Sequence, residues 1–277
     1  MGRPISLAHS PDSDDAFMFH ALAAGKIDTL GMEFRHVLED IQSLNLRAGE
    51  GMFDVTAISF AAWPVARRHY LLATAGSSVG DGYGPILVSK NPLTRQDLPG
   101  VTIGVPGTLT TAYLVLKLFC PEAKTTVIPF DRIPDEVAKG TVDAGLLIHE
   151  GQLTYGDLKL NRIADLGEWW RLGTGLPLPL GGNAIRRSLD PQVRRDIDAV
   201  IRDSVAYALS HRPQALEHAL SYGRGLDRER ADRFIGMYVN DFTLNLGKPG
   251  QDALRLLLQL GHEAGIIKER VEPEFVS

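Results

Sequence analysis

The chain has 277 residues, of which 44% are hydrophobic and 23% are charged, and its formal net charge at pH 7 is −5. This balance excludes disorder as the general state of the chain, because there is enough apolar surface to offset the entropy lost on folding. The acidic net charge argues against nucleic acid as a partner, since non-specific binding to it needs a basic face.

The first part of the chain alternates short apolar strands with turns and helices. The hydrophobic spacing predicts strands at 5–8, 32–38, 55–58 and 70–76, and helices at 16–24, 40–48 (closed by Gly49) and 59–68. Residues 85–89 are predicted as a strand that leaves this unit, and the polar segment 91–100 as a crossing to a second unit.

The second part repeats the pattern before a helical tail. The spacing predicts strands at 101–105, 125–129, 144–148 and 160–166, and helices at 111–119 and 131–140. Residues 176–185 are rich in Pro and Gly and are predicted as the chain crossing back. The remaining helices are predicted at 193–211, 214–223, 228–240 and 251–264.

Alternating strands and helices predict open parallel or mixed sheets that are covered on both faces. Two such units joined by two crossings predict a two-lobed α/β molecule, with a cleft between two open mixed sheets. Residues 1–90 and 180–277 would form the first, discontinuous lobe and residues 91–179 the second. Ligands of such folds bind where strands end and helices begin, which selects four junctions.

Two junctions of the first lobe carry hydroxyl and carboxyl groups. Residues 10–15 place Ser10 beside three aspartates, and Ser59 directly follows a buried strand. At both junctions capping of the next helix is the simpler interpretation, and a side chain facing the cleft is the functional one. A divalent cation is disfavoured at residues 10–15, because one acidic cluster lacks the spread of oxygen ligands that calcium needs.

The junctions of the second lobe favour anion binding and proton transfer. Thr108, Thr110 and Thr111 follow Gly107 and would lie beside unpaired amides at a helix N-terminus, which suits a carboxylate or phosphate. His149 ends an apolar strand, where a group that titrates near neutral pH can act as a general base. A purely structural histidine is the alternative.

No sequence pattern calls for a metal, a cofactor or a membrane. Walker and dinucleotide-binding motifs are absent, and the histidines form no helical ligand pair with a spaced acid. The single cysteine, Cys120, excludes an internal disulfide. The apolar stretch 55–66 is too short to span a bilayer, and no secretion signal is visible, so we expect a soluble cytoplasmic protein.

Several runs, taken in order, resemble one known family. They are Ser10-Pro11 with Asp15-Ala16-Phe17, Leu38-Glu39-Asp40 with Leu44-Asn45, Ser59-Phe60-Ala61-Ala62, Pro106-Gly107 with Thr110-Thr111-Ala112-Tyr113, residues 145–150, and residues 174–181. The set resembles the 1,4-dihydroxy-6-naphthoate synthase family, which are futalosine-pathway enzymes of menaquinone biosynthesis. The chain departs from the family at residues 12–15, where some members carry Cys-Pro-Asn-Asp.

The resemblance implies a type 2 periplasmic-binding-protein-like fold and a carbon–carbon lyase. We expect no cofactor and no metal, because the sequence shows neither a metal cluster nor a nucleotide motif. The expected reaction converts cyclic dehypoxanthine futalosine, a small carboxylate, into 1,4-dihydroxy-6-naphthoate and dihydroxyacetone. The resemblance places the active-site histidine on His149. The expected substrate-binding residues are Ser10, Asp14, Asn45, Ala57, Ile58, Ser59, Thr110, Thr111 and Ala112.

Two other functions stay open at this point. A cytoplasmic sensor of the same fold would bind a small carboxylate without changing it. Chorismate dehydratase shares the fold and the pathway, although it should lack the strand that ends in His149-Glu150. The helical tail, with its apolar residues 254–260, would pack on the first lobe or form the face of a homodimer.

Overall fold

The computed structural model describes residues 3–223 and 226–277. Positions 1, 2, 224 and 225, which belong to the predicted first lobe, lie outside the described residues. Within the described ranges, none of the helices combines the length and the apolar character that crossing a membrane requires.

The first sheet has six strands. They are β1 (Ile5–His9), β2 (Phe34–Leu38), β3 (Val55–Ser59), β4 (Tyr70–Leu72), β5 (Ser78–Gly80) and β11 (Leu178–Arg186). Their order is β2-β1-β3-β11-β4, and β5 pairs with β11 beside this path. β1 runs parallel to β2 and β3, whereas β11 runs antiparallel to its neighbours, so the sheet is mixed.

The second sheet has five strands and is also mixed. They are β6 (Ile86–Ser89), β7 (Thr102–Val105), β8 (Lys124–Val127), β9 (Ala144–Leu147) and β10 (Asn161–Asp165). Their order is β10-β6-β9-β7-β8, and β7 is parallel to β8 and β9 while β6 is antiparallel to β9 and β10. The predicted α/β class with two open mixed sheets is therefore confirmed.

The helices cover these sheets. They are α1 (Ser13–Met18), α2 (His20–Ala23), α3 (Ile41–Glu50), α4 (Trp63–Ala66), α5 (Thr111–Phe119), α6 (Ile133–Lys139), α7 (Gly151–Thr154), α8 (Leu166–Thr174), α9 (Pro191–Ser210), α10 (Arg212–Leu220), α11 (Arg228–Tyr238), α12 (Asp241–Leu244) and α13 (Gly247–Glu263). Short 3₁₀ turns occupy Phe60–Ala62, Arg95–Gly100 and Tyr155–Leu158.

Both predicted crossings are wrong in position. β6 and β7 lie in the same sheet, so the chain reaches the second sheet before Ile86 and not through residues 91–100. Residues 176–185 are mostly strand β11, which pairs with three strands of the first sheet. Its glycines are needed for close approach, because a Cβ at Gly181 would lie 2.8 Å from the carbonyl oxygen of Ile58.

Helix α3 also ends later than predicted. Gly49 lies inside the helix, and Gly51, with φ of 66°, takes the left-handed position that closes it. The tail packs within the chain, because Leu254, Leu257 and Leu258 of α13 are buried in a core that they share with α5. The predicted homodimer stays a prediction.

Candidate active site

A cleft that is open to solvent lies where strands of both sheets end. Of the predicted site residues, the following line it: Ser10, Asp14, Ala57, Ile58, Ser59, Thr110, Thr111, Ala112 and His149. The sequence therefore located the cleft from four separate junctions. Its wall also contains residues that the sequence did not single out as contacts, among them Asp12, Gln152, Asn183 and Tyr238.

His149 follows β9 in an uncommon backbone conformation. Its φ is 54°, a left-handed value that costs free energy in a residue other than glycine and that clusters at functional sites. Its Nδ1 lies 3.2 Å from Oδ2 of Asp12, and its side chain is only 16% exposed. Its Nε2 is buried and has no hydrogen-bond partner among the described residues. We assign the proton of the neutral ring to Nδ1, which leaves the lone pair of Nε2 available.

Asp12 faces this imidazole. It is fully buried, and the hydroxyl of Ser10 donates a hydrogen bond to the same Oδ2 that faces His149. The ring of His149 is held from another side by Phe130, whose ring lies edge to face at 4.8 Å. The sequence showed the acidic cluster at residues 12–15 but not which carboxylate meets the histidine. That pairing joins the loop after β1 to the loop after β9.

Two further contacts hold the segment after β9, one to the start of α1 and one to α11. Oε1 of Glu150 accepts hydrogen bonds from the hydroxyl of Ser13 at 3.0 Å and from its backbone N–H at 3.4 Å. The hydroxyl of Tyr238 on α11 donates to Oε1 of Gln152 at 2.6 Å. These bonds hold the segment after β9 against the helices of the first sheet, and thereby set the position of His149.

The pKa values of two aspartates near the histidine, the buried Asp14 and the partly buried Asp15, are raised. Burial raises the pKa of Asp14 well above its usual range, and the negative charge of Asp15 adds to the effect. His149 acts on it in the opposite direction, and Asp12 and Glu150 raise it further. Burial also raises the pKa of Asp15 to about 7, although the backbone N–H of Ser10, which donates to its Oδ2 at 2.7 Å, opposes this.

Helix α5 begins at the wall of the cleft, but the hydroxyls of Thr110 and Thr111 already make hydrogen bonds within the protein. The hydroxyl of Thr110 donates to the carbonyl of Gly107 and accepts from the N–H of Tyr113, so it caps the helix. The hydroxyl of Thr111 donates to the carbonyl of Leu180 and accepts from the N–H of Ala61.

The two threonine hydroxyls therefore make hydrogen bonds within the protein. The amides of Thr111 and Ala112, the first two of α5, have no acceptor within the helix and are the groups left for an anion. Thr108, the third predicted hydroxyl, is exposed and does not line the cleft.

Asn45 supports the cleft from behind and does not line it. Its side chain is fully buried, accepts from the N–H of Ser59 at 2.8 Å and donates to the hydroxyl of Ser59 at 3.0 Å. It also donates to the carbonyl of Leu109 at 3.3 Å, in the loop before α5. Because Asn45 does not line the cleft, the structure does not support the prediction that it contacts the substrate. Its hydrogen bonds instead position Ser59 and the loop before α5.

The predicted absence of a metal site is not contradicted by the described residues. Within residues 3–223 and 226–277, no group of three or more His, Cys, Asp or Glu side chains has a geometry that could hold a metal ion. The chemistry that the cleft offers is thus a base with a free lone pair, a buried acid and two backbone donors for an anion.

Known proteins with similar sequence match nearly the whole chain. A family model described as menaquinone biosynthesis matches residues 5–263. A 1,4-dihydroxy-6-naphthoate synthase of Thermus thermophilus is 38% identical over 272 residues, which are 98% of this chain and 99% of that protein. A crystal structure of a protein from Archaeoglobus fulgidus is 47% identical with a TM-score of 0.92, and the match covers 95% of this chain and 98% of that one.

A more distant likeness concerns the fold alone. The alkanesulfonate-binding protein of Xanthomonas axonopodis pathovar citri, bound to MOPS, has a TM-score of 0.75 at 12% identity, and the match covers 99% of this chain and 98% of that one. The expected periplasmic-binding-protein-like fold is thereby confirmed.

Proposed function

Because the chain belongs to the menaquinone biosynthesis family, we propose that it is a carbon–carbon lyase that converts cyclic dehypoxanthine futalosine into 1,4-dihydroxy-6-naphthoate and dihydroxyacetone. The observation that carries the proposal is the buried pair of Asp12 and His149 in one cleft with the N-terminus of α5. A protein that only binds a carboxylate needs the helix N-terminus but has no use for an oriented base.

The substrate is a carboxylate with several hydroxyl groups, and its two kinds of group match two parts of the cleft. The carboxylate accepts from the amides of Thr111 and Ala112 at the positive end of α5. That contact holds the hydroxyl-bearing part of the substrate within reach of His149.

His149 starts the reaction as a general base. Its Nε2 takes the proton of a sugar-derived hydroxyl, and the oxygen becomes a carbonyl as the adjacent carbon–carbon bond breaks. The electron pair of that bond passes into the ring that becomes aromatic, which supplies the driving force. Asp12 keeps the proton on Nδ1 and stabilises the imidazolium while it forms.

Mass spectrometry of the purified protein with the futalosine-derived substrate tests the proposal. We expect loss of substrate with equimolar formation of the naphthoate and the three-carbon ketone. The variant His149→Asn should turn over about 10²- to 10⁴-fold more slowly, the usual share of general-base catalysis, while still binding the substrate.

Two outcomes would reject the proposal in favour of the alternatives. Substrate that is bound but unchanged would identify a carboxylate-binding protein. Loss of water from chorismate, with no change of the futalosine-derived compound, would identify a dehydratase. Unaltered turnover by His149→Asn would leave the reaction in place and reject the histidine as its base.

The proposed reaction would take place in the cytoplasm, as expected from the sequence.

A further inference from the structure

Asp14 differs from the other acidic groups around the cleft in its hydrogen bonding. Asp15 accepts from the N–H of Ser10, and Glu150 accepts from the hydroxyl and N–H of Ser13. Asp12 accepts from Ser10 and faces His149. Asp14 lines the same cleft and is only 8% exposed, yet its buried Oδ1 has no hydrogen-bond partner among the described residues.

A carboxylate in this position would be unfavourable. Burial without donors penalises the charged form, and the neutral acid is the form that such a site stabilises. The groups that face Asp14 are mostly negative or neutral: Asp12 and Asp15 on its own segment, Glu150 and His149 after β9, and Tyr238 on α11. The raised pKa of Asp14 agrees with this arrangement. A neutral carboxyl group differs from a carboxylate in having an O–H to donate.

We propose that Asp14 is kept as a neutral carboxylic acid and donates a hydrogen bond to the substrate oxygen on which negative charge develops. This inference rests on the proposed function, in which the electrons of the broken carbon–carbon bond pass into the new aromatic ring. The oxygen that receives them is an enolate oxygen of that ring, which becomes a ring hydroxyl by taking a proton from solvent, while the imidazolium of His149 returns its proton to solvent. His149 removes the proton at one end of the electron flow and Asp14 stabilises the charge at the other, so both groups touch the substrate.

The proposal separates two variants that remove the same carboxyl group. Asp14→Asn keeps a donor of similar size, because the amide N–H replaces the carboxyl O–H. Asp14→Ala removes the donor. We expect Asp14→Asn to stay within about tenfold of wild-type kcat, and Asp14→Ala to lose about 10²- to 10³-fold, which is the usual cost of removing one donor to a developing oxyanion.

The pH profile gives a second test that a merely structural role would not change. At high pH the acid ionises, loses its donor and repels the substrate carboxylate, so kcat/KM of the wild type should fall. Asp14→Asn cannot ionise and should lack that alkaline fall. Equal loss of kcat in both variants, or an unchanged alkaline fall in Asp14→Asn, overturns the proposal.

Infrared difference spectroscopy tests the protonation state without any turnover. The spectrum of the wild type minus Asp14→Asn should contain the carbonyl stretch of a carboxylic acid that persists above pH 7. Asp15→Asn is the matched comparison, because Asp15 is partly buried and its pKa is also raised, so its acid band should disappear near pH 7. Absence of the Asp14 band overturns this inference even in an active enzyme. Its presence in a protein that does not convert the substrate rejects the proposed function and leaves the neutral acid standing.

Discussion

Replacing Asp12 by Asn should separate binding from chemistry. The variant keeps the size of the side chain and removes the negative charge 3.2 Å from Nδ1 of His149. At an effective dielectric constant of about 20, two full charges at this distance interact by about 5 kcal/mol. Since about 1.4 kcal/mol changes a rate tenfold and the imidazolium is only partly formed in the transition state, kcat should fall between about 10²- and 10⁴-fold.

Steady-state kinetics of purified Asp12→Asn measure this effect. KM should stay near the wild-type value, because the amides that we assign to the substrate carboxylate are on α5 and are unchanged. Asp190→Asn is the matched control: it makes the same replacement at the start of α9, outside the cleft, where Asn caps a helix as well as Asp does. Turnover by Asp12→Asn equal to that of this control would refute the idea that the carboxylate assists the base.

Two further predictions concern the stability of the fold. Asn45→Ala leaves the buried N–H of Ser59 without its acceptor, so the free energy of unfolding in urea should fall by about 1–3 kcal/mol; an unchanged urea midpoint would contradict the supporting role of Asn45. Burial lowers the pKa of His9 to about 4, while the unfolded chain binds that proton near pH 6.5, so His9 should cost stability as the pH falls from about 6.5 to 4, by up to about 3 kcal/mol. Asp15 acts in the opposite direction over part of this range, because its raised pKa favours the folded state at low pH and that contribution is lost as the pH rises through about 7. Urea titrations of the wild type and His9→Asn at several pH values between 4.5 and 7.5 give the free energy of unfolding as a function of pH. The difference between the two proteins is the contribution of His9, and an equal pH dependence in both would contradict the assignment.

Strands, helices and helix caps could be predicted from the sequence because they depend mainly on residues that are close together in the chain. The alternation of apolar residues depends on the period of strands and helices, and it placed most elements to within a few residues of the structure. Thr110 caps α5, and His149 follows the end of β9, because caps and strand ends depend on neighbouring residues. Since strand ends meet at one edge of a sheet, these junctions also predicted the cleft.

Only the tertiary structure determined the strand pairing and the side-chain contacts between distant parts of the chain. The two prolines and two glycines of residues 176–185 predict an irregular crossing, yet pairing with β3, β4 and β5 makes most of this segment a strand. Which aspartate faces His149, and which has its pKa raised, depends on the charges and donors that surround each carboxyl group. Some of those neighbours lie far apart in sequence, and the desolvation that raises the pKa of Asp14 exists only after the two sheets and their helices have packed.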